Sequence, residues 1–316
     1  MLTHTLGFPR IGLNRELKSI LESFWTGDAD EPELRQVASA IRTKNWQMQA
    51  DGGIDLLPVG DFSLYDHVLD TAVMLDLVPS RYKPRGERTD LTVYFRMARG
   101  DGGCGGLAPM ELSKWFDTNY HYIVPEITPD MQCCPDCSEL LGQIREAAAI
   151  GVATKPVLLG PLTLLRLSKP VTEECDPLDL IDHIVGAYEQ ILGCLAGNTE
   201  WIQVDEPILV LDMTERERSV FSSVLSRLIR AASPSKILLA TYFGQLGENA
   251  SLACLPELGG LHIDLTSAPG QLEDILQRLP GGPMLSLGLV NGRNVWKVNM
   301  DAALAMVDKA ARALGE

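Results

Sequence analysis

Eight short apolar runs punctuate the chain, at 3–7, 54–60, 120–126, 156–160, 201–205, 237–243, 261–265 and 284–291, with helical patterns between them. Most of these runs are near-continuously apolar. A strand with one face in water alternates apolar and polar residues, whereas a parallel strand covered by helices on both faces does not. Strand and helix in alternation predict an α/β fold. Eight such strands favour a closed (β/α)8 TIM-type barrel over an open doubly wound sheet. The 316 residues suit one barrel domain spanning 1–316, since such a barrel commonly takes about 250 residues. No Gly-x-Gly-x-x-Gly follows the first run, which counts against a dinucleotide-binding sheet.

The helical segments can be placed from periodicity and end signals. In 178–195, Leu178, Ile181, Val185, Tyr188, Leu192 and Leu195 recur at steps of three and four and share one face, with Gly197 as the stop. Thr214 and Glu217 have capping-box spacing and open another helix, whose apolar face is Val220, Val224, Leu228 and Ile229. Further helices are expected over 15–25, 32–50 (with Pro32 in the first turn), 138–149, 271–279 and 301–314. The glycine-rich stretch 100–106 reads as a loop inside the long connection between the second and third runs.

Composition removes several function classes. A formal net charge of −15 opposes general binding to nucleic acid or an anionic membrane. A few local cations can still hold an anionic small ligand. No run of about 20 uncharged apolar residues is present to span a bilayer. The first residues lack the pattern of a secretory signal, so a cytoplasmic location is expected, with the seven cysteines as reduced thiols.

In a β/α barrel the working face lies at the carboxyl ends of the strands. Asp205 and Glu206 sit at one such end and form a candidate acid–base pair. Adjacent strand residues point to opposite sides, however, so one of them capping backbone amides is an equally good reading. Arg15 and Lys18, three apart at a helix start, could form an anion site with the helix N-terminus or simply a solvated face. Lys114 offers a cation beside Trp115, Phe116 and Tyr120, a combination suited to a flat ring with an acidic tail. None of the five histidines, His4, His67, His121, His183 and His262, stands in a His-x-Cys or His-x-x-x-His arrangement. Cys134 and Cys137 have metal-like spacing within the group Cys133, Cys134 and Cys137. That group lacks a second pair and is read as structural thiols, and Cys104, Cys175, Cys194 and Cys254 are scattered. No metal or cofactor site is expected in the chain.

Several long stretches resemble cobalamin-independent methionine synthase. They are Thr5-Leu6-Gly7-Phe8-Pro9-Arg10-Ile11-Gly12 with Arg15-Glu16-Leu17-Lys18, Gly53 to Phe62 followed by Tyr65-Asp66-His67, and Lys114 to Tyr122. Lys155 to Pro161, Gln203-Val204-Asp205-Glu206-Pro207, Thr241-Tyr242-Phe243 and Asn291 to Trp296 agree as well. The resemblance implies the amino-terminal barrel of a two-barrel enzyme that moves a methyl group from 5-methyltetrahydrofolate polyglutamate to the thiol of homocysteine. It implies folate contacts from Arg15, Glu16, Leu17, Lys18 and Lys114, no catalytic residue in this half, and a chain inactive alone. Zinc, which binds homocysteine as a thiolate, belongs to the carboxy-terminal catalytic barrel, absent here. Where that catalytic half carries His-x-Cys, this chain has Thr241-Tyr242-Phe243, poor zinc ligands. The family continues beyond this length with a further strand-like segment, so one of the eight runs is allowed to lie outside the barrel, leaving it incomplete at the C-terminus. A docking domain for a separately encoded zinc barrel, or a stand-alone barrel enzyme of the superfamily, are the alternatives.

Overall fold

The computed structural model describes residues 1–84, 87–102, 106–172, 175–279 and 281–315. Cys104 and the middle of the 100–106 loop lie outside them. The helices are α1 (Glu16–Thr26), α2 (Glu31–Asp51), α3 (His67–Met74), α4 (Leu91–Arg99), α5 (Ser138–Ala149), α6 (Pro161–Leu167), α7 (Ile181–Leu195), α8 (Glu215–Ala232), α9 (Ala250–Ala253), α10 (Gln271–Arg278) and α11 (Met300–Leu314). The strands are β1 (Leu57–Val59), β2 (Leu112–Lys114), β3 (His121–Ile123), β4 (Glu126–Ile127), β5 (Thr154–Leu159), β6 (Lys169–Pro170), β7 (Trp201–Asp205), β8 (Lys236–Ala240), β9 (Gly260–Asp264) and β10 (Met284–Gly288).

One parallel sheet organises the molecule, in the order β1-β5-β7-β8-β9-β10. Its middle strands are buried almost throughout, as runs without alternation require. His4 extends the β1 edge through a parallel bridge to Leu56. At the far edge its Nε2 lies 2.7 Å from Ser286 Oγ on β10. The sheet is therefore curled far enough for side chains of its two margins to touch. No described backbone ladder joins these margins. β10 is only partly buried, unlike the strands beside it.

The expectation of eight barrel strands needs correction. The run 120–126 is not in the main sheet: β3 pairs antiparallel with β2 in a hairpin, β4 pairs with β6, and β1 pairs directly with β5. The backbone donors explain it. Ile123 N–H goes to the Asp66 carboxylate at 3.0 Å, and Val124 N–H to Glu111 O at 2.8 Å. Donors committed to a helix cap and a hairpin are not free to build a barrel ladder.

The helix ends follow from local chemistry. Asp30 and Glu33 form a capping box at α2, and Thr214 and Glu217 form the expected one at α8. The segment 178–195 opens as a 3-10 turn and continues as α7, burying Ile181, Val185, Tyr188, Leu192 and Leu195. The principal core packs α5, α7 and α8 on the sheet, while a second core gathers α1, α2 and α4 around Leu17, Leu34, Phe95 and Met97.

A candidate site at the mouth of the sheet

At the carboxyl end of β7, Asp205 and Glu206 diverge, as consecutive strand residues do. Glu206 is 1% exposed and accepts hydrogen bonds from Leu162 N at 3.0 Å, Thr163 N at 2.8 Å and Thr163 Oγ1 at 2.5 Å. It caps the first turn of α6, and burial pushes its carboxyl up to about 7. Gly160 makes the approach possible, because a Cβ there would stand 2.1 Å from Glu206 Cδ. The capping reading holds for Glu206, so the two carboxylates do not work as an acid–base pair.

Asp205 instead faces the mouth. Gln203 Nε2 donates to its Oδ1 at 2.6 Å, and the Tyr242 hydroxyl to its Oδ2 at 3.1 Å. Lys155, fully buried on β5, donates to Thr5 O at 2.8 Å and to the Gln203 side-chain oxygen. Asp61, beyond β1, accepts from Phe8 N at 2.8 Å. Burial raises the carboxyls of Asp61 and Asp205 and lowers the Lys155 ammonium, and the attraction of each acid for the lysine opposes these shifts. Deeper along the sheet, Ser286 Oγ lies 2.7 Å from both His4 Nε2 and His262 Nδ1. Burial depresses these imidazoles, to about 4 for His4 and about 3 for His262, so both are neutral at pH 7.

An aromatic row walls the mouth. Ring centroids are 4.9 Å apart for Trp115 and Phe116, 5.4 Å for Phe116 and Phe243, and 4.8 Å for Phe243 and Tyr242. Arg293, which pairs with Asp117 at 3.2 Å, lies 5.6 Å from the Phe243 ring centre. Asp61, His67, Trp115, Asp205, Tyr242 and Phe243 line a cavity of about 2100 Å³ that runs on to the β10 margin.

The sequence-derived residues lie elsewhere. Arg15 is exposed, has φ of 63° and precedes α1 rather than belonging to it. The Glu16 carboxylate accepts from Asn14 N at 2.8 Å, and backbone hydrogen bonds hold it below the usual range. Leu17 is 1% exposed and sits in the second core. Lys18 lies 3.6 Å from Glu22, both largely in solvent. Lys114 is exposed at the end of β2. None of the five lines the mouth cavity. Cys133 and Cys137 are pushed up to about 11, chiefly by burial. Among the described residues no group of three or more His, Cys, Asp or Glu side chains gathers as metal ligands, and no helix is long and apolar enough to cross a membrane. The sequence weighs His4 only as a metal ligand and assigns no role of their own to Lys155, Gln203 and Ser286. The available signal was a lysine and a glutamine inside otherwise apolar strands.

Residues 2–315 match the family described as cobalamin-independent synthase, N-terminal domain. The chain belongs to this family. A 5-methyltetrahydropteroyltriglutamate–homocysteine methyltransferase of Syntrophotalea carbinolica is 46% identical over 315 residues, covering 100% of this chain and 42% of its own length. Its counterpart in Xylella fastidiosa is 45% identical over 313 residues, with 98% of this chain and 41% of its own length covered. The chain thus spans about two fifths of these relatives. A putative vitamin-B12 independent methionine synthase of Listeria monocytogenes has a similar fold, with TM-score 0.68 at 14% identity over 99% of this chain and 88% of its own. A B12-independent methionine synthase of a Shewanella species, solved with selenomethionine, gives TM-score 0.64 at 14% identity over 90% and 80% of the two chains.

Proposed function

We propose that this cobalamin-independent synthase domain assists folate binding in a methyltransferase that carries the methyl group of 5-methyltetrahydropteroyltriglutamate to homocysteine. The observation that carries the reading is 46% identity, end to end, with the leading part of an enzyme named for that reaction. Arg15, Lys18 and Lys114 are the cations that meet the carboxylates of the glutamate tail, where charge-assisted hydrogen bonds are strongest. Glu16 and Leu17 contribute by placement. Leu17 anchors α1 in the core, and Glu16 holds the turn before it through Asn14 N. The zinc that presents homocysteine as a thiolate belongs to the carboxy-terminal barrel, so this domain is inactive alone and works with that barrel in the cytoplasm.

Calorimetric titration with pteroyltriglutamate tests the tail site. Binding that weakens on Lys18→Ala and again on Lys114→Ala is expected, and binding indifferent to both substitutions overturns the assignment. Methyl transfer by this chain without a zinc-bearing barrel overturns the claim of inactivity.

A further inference from the structure

Two thiols far apart in sequence meet outside the mouth cavity, which neither of them lines. Cys137 stands at the N-cap of α5, but its sulfur makes no capping bond to the helix backbone. That sulfur is instead in hydrogen-bond contact with the thiol of Cys194, in the last turn of α7. The two differ in access: Cys137 is buried in the principal core, and Cys194 is exposed. Both backbones are anchored. Leu141 N donates to Cys137 O at 2.9 Å, Asp136 N donates to Met74 O at 2.8 Å just before α5, and Asn198 Nδ2 donates to Cys194 O at 2.9 Å. Sulfurs carried by two separately anchored helices stay within reach of each other, so a reaction between them is intramolecular.

The surroundings give the pair unequal roles. A helix N-terminus favours a thiolate. At Cys137 burial outweighs it, and the hydrogen bond and charge of Cys194 add to burial, so this thiol is pushed up to about 11. Exposed Cys194 is the sulfur that a dissolved oxidant meets first. We infer that Cys194 and Cys137 form a reversible redox site, in which a peroxide oxidises Cys194 and Cys137 resolves it to a disulfide that staples the start of α5 to the end of α7. The Cys194 thiolate attacks one oxygen of hydrogen peroxide, the O–O bond breaks, and Cys194 becomes a sulfenic acid as one water leaves. The Cys137 sulfur then attacks the Cys194 sulfur, the S–O bond breaks, and the departing hydroxide takes the Cys137 proton as a second water. The two thiols lose two electrons and two hydrogens, and the peroxide is reduced to two waters. A dithiol reverses the change by exchange.

The test treats the full chain, folded and reduced, with a few equivalents of hydrogen peroxide. Intact mass and peptide mapping without reductant read the products. A loss of about 2 Da and a cross-linked peptide joining Cys137 to Cys194 are expected, both reversed by dithiothreitol. The cross-link should form at least about tenfold faster in the folded chain than in urea, where the contact is lost. In Cys137→Ala the cross-link is absent and a 1,3-diketone captures Cys194 as the sulfenic acid; in Cys194→Ser neither product forms. The readings on the unaltered chain need no variant to fold. A cross-link between Cys134 and Cys137, oxygen added without a cross-link, no reaction of either thiol, or a cross-link formed no faster in the folded chain than in urea overturns the proposal.

Discussion

The Nε2 of His4 lies 2.7 Å from the Oγ of Ser286, across a sequence separation of 282 residues. The two residues belong to opposite margins of one curled sheet, and Ser286 reaches His262 Nδ1 at the same distance. A single hydroxyl therefore ties the first strand-like segment to β9 and β10 where no described backbone ladder does.

Ser286→Ala removes that tie and leaves two buried imidazole nitrogens without a partner. The cost is expected at about 1–3 kcal/mol, the penalty for buried polar groups left unsatisfied. Urea unfolding at neutral pH measures it, and an unchanged midpoint would sink the idea that the hydroxyl joins the margins.

The two imidazoles also give stability a pH dependence of definite sign. Burial lowers His4 from 6.5 to about 4 and His262 from 6.5 to about 3, so the folded state binds fewer protons than the unfolded chain at mildly acid pH. Their contribution is complete above about pH 6.5 and is lost as pH falls through the folded values. In a double variant, His4→Gln with His262→Gln, this loss is absent. The stability gap between the unaltered chain and the variant should narrow steadily from pH 7 to pH 4, read by chemical unfolding at each pH. A gap constant with pH would contradict the assignment.

Lys155→Met takes the internal cation from Asp61 and Asp205 and strands Thr5 O and the Gln203 amide oxygen. Breaking a buried charge set from one side costs about 3–5 kcal/mol. Both carboxyls, already raised by burial, then rise further in the folded state. A raised carboxyl favours the folded state at low pH and loses that advantage as pH climbs through its folded value. The damage should therefore be largest near pH 8 and smallest near pH 5, which thermal melts across that range will show.

Gly160→Ala places a methyl group inside the Glu206 carboxylate and uncaps α6. The clash and the lost cap together should cost about 2–4 kcal/mol. Lys18→Ala, in contrast, breaks only an exposed pair with Glu22 and should alter stability by less than about 1 kcal/mol. Comparing the two melts separates an effect of the lysine variant on ligand binding from an effect on folding.

Much of the fold was legible because it is local. The run 201–205 is β7 to the residue, 138–149 is α5, and Thr214 with Glu217 caps α8 as its spacing required. The run 120–126 misled because apolar content does not say which partner a strand takes. Its backbone donors were claimed by Asp66 and by the hairpin. The family was legible from long ordered motifs. The mouth was not, since Lys155, Gln203 and Ser286 look like lone polar residues until the sheet curls.

What the sequence determined by itself was the alternation of strand and helix, the helix ends and the family, all carried by residues a few positions apart. Only the tertiary structure decided which carboxylate of Asp205 and Glu206 caps a helix and which faces the mouth, and which buried polar groups satisfy one another. Those outcomes depend on burial and on partners dozens to hundreds of residues away, whose distances are set when the sheet curls.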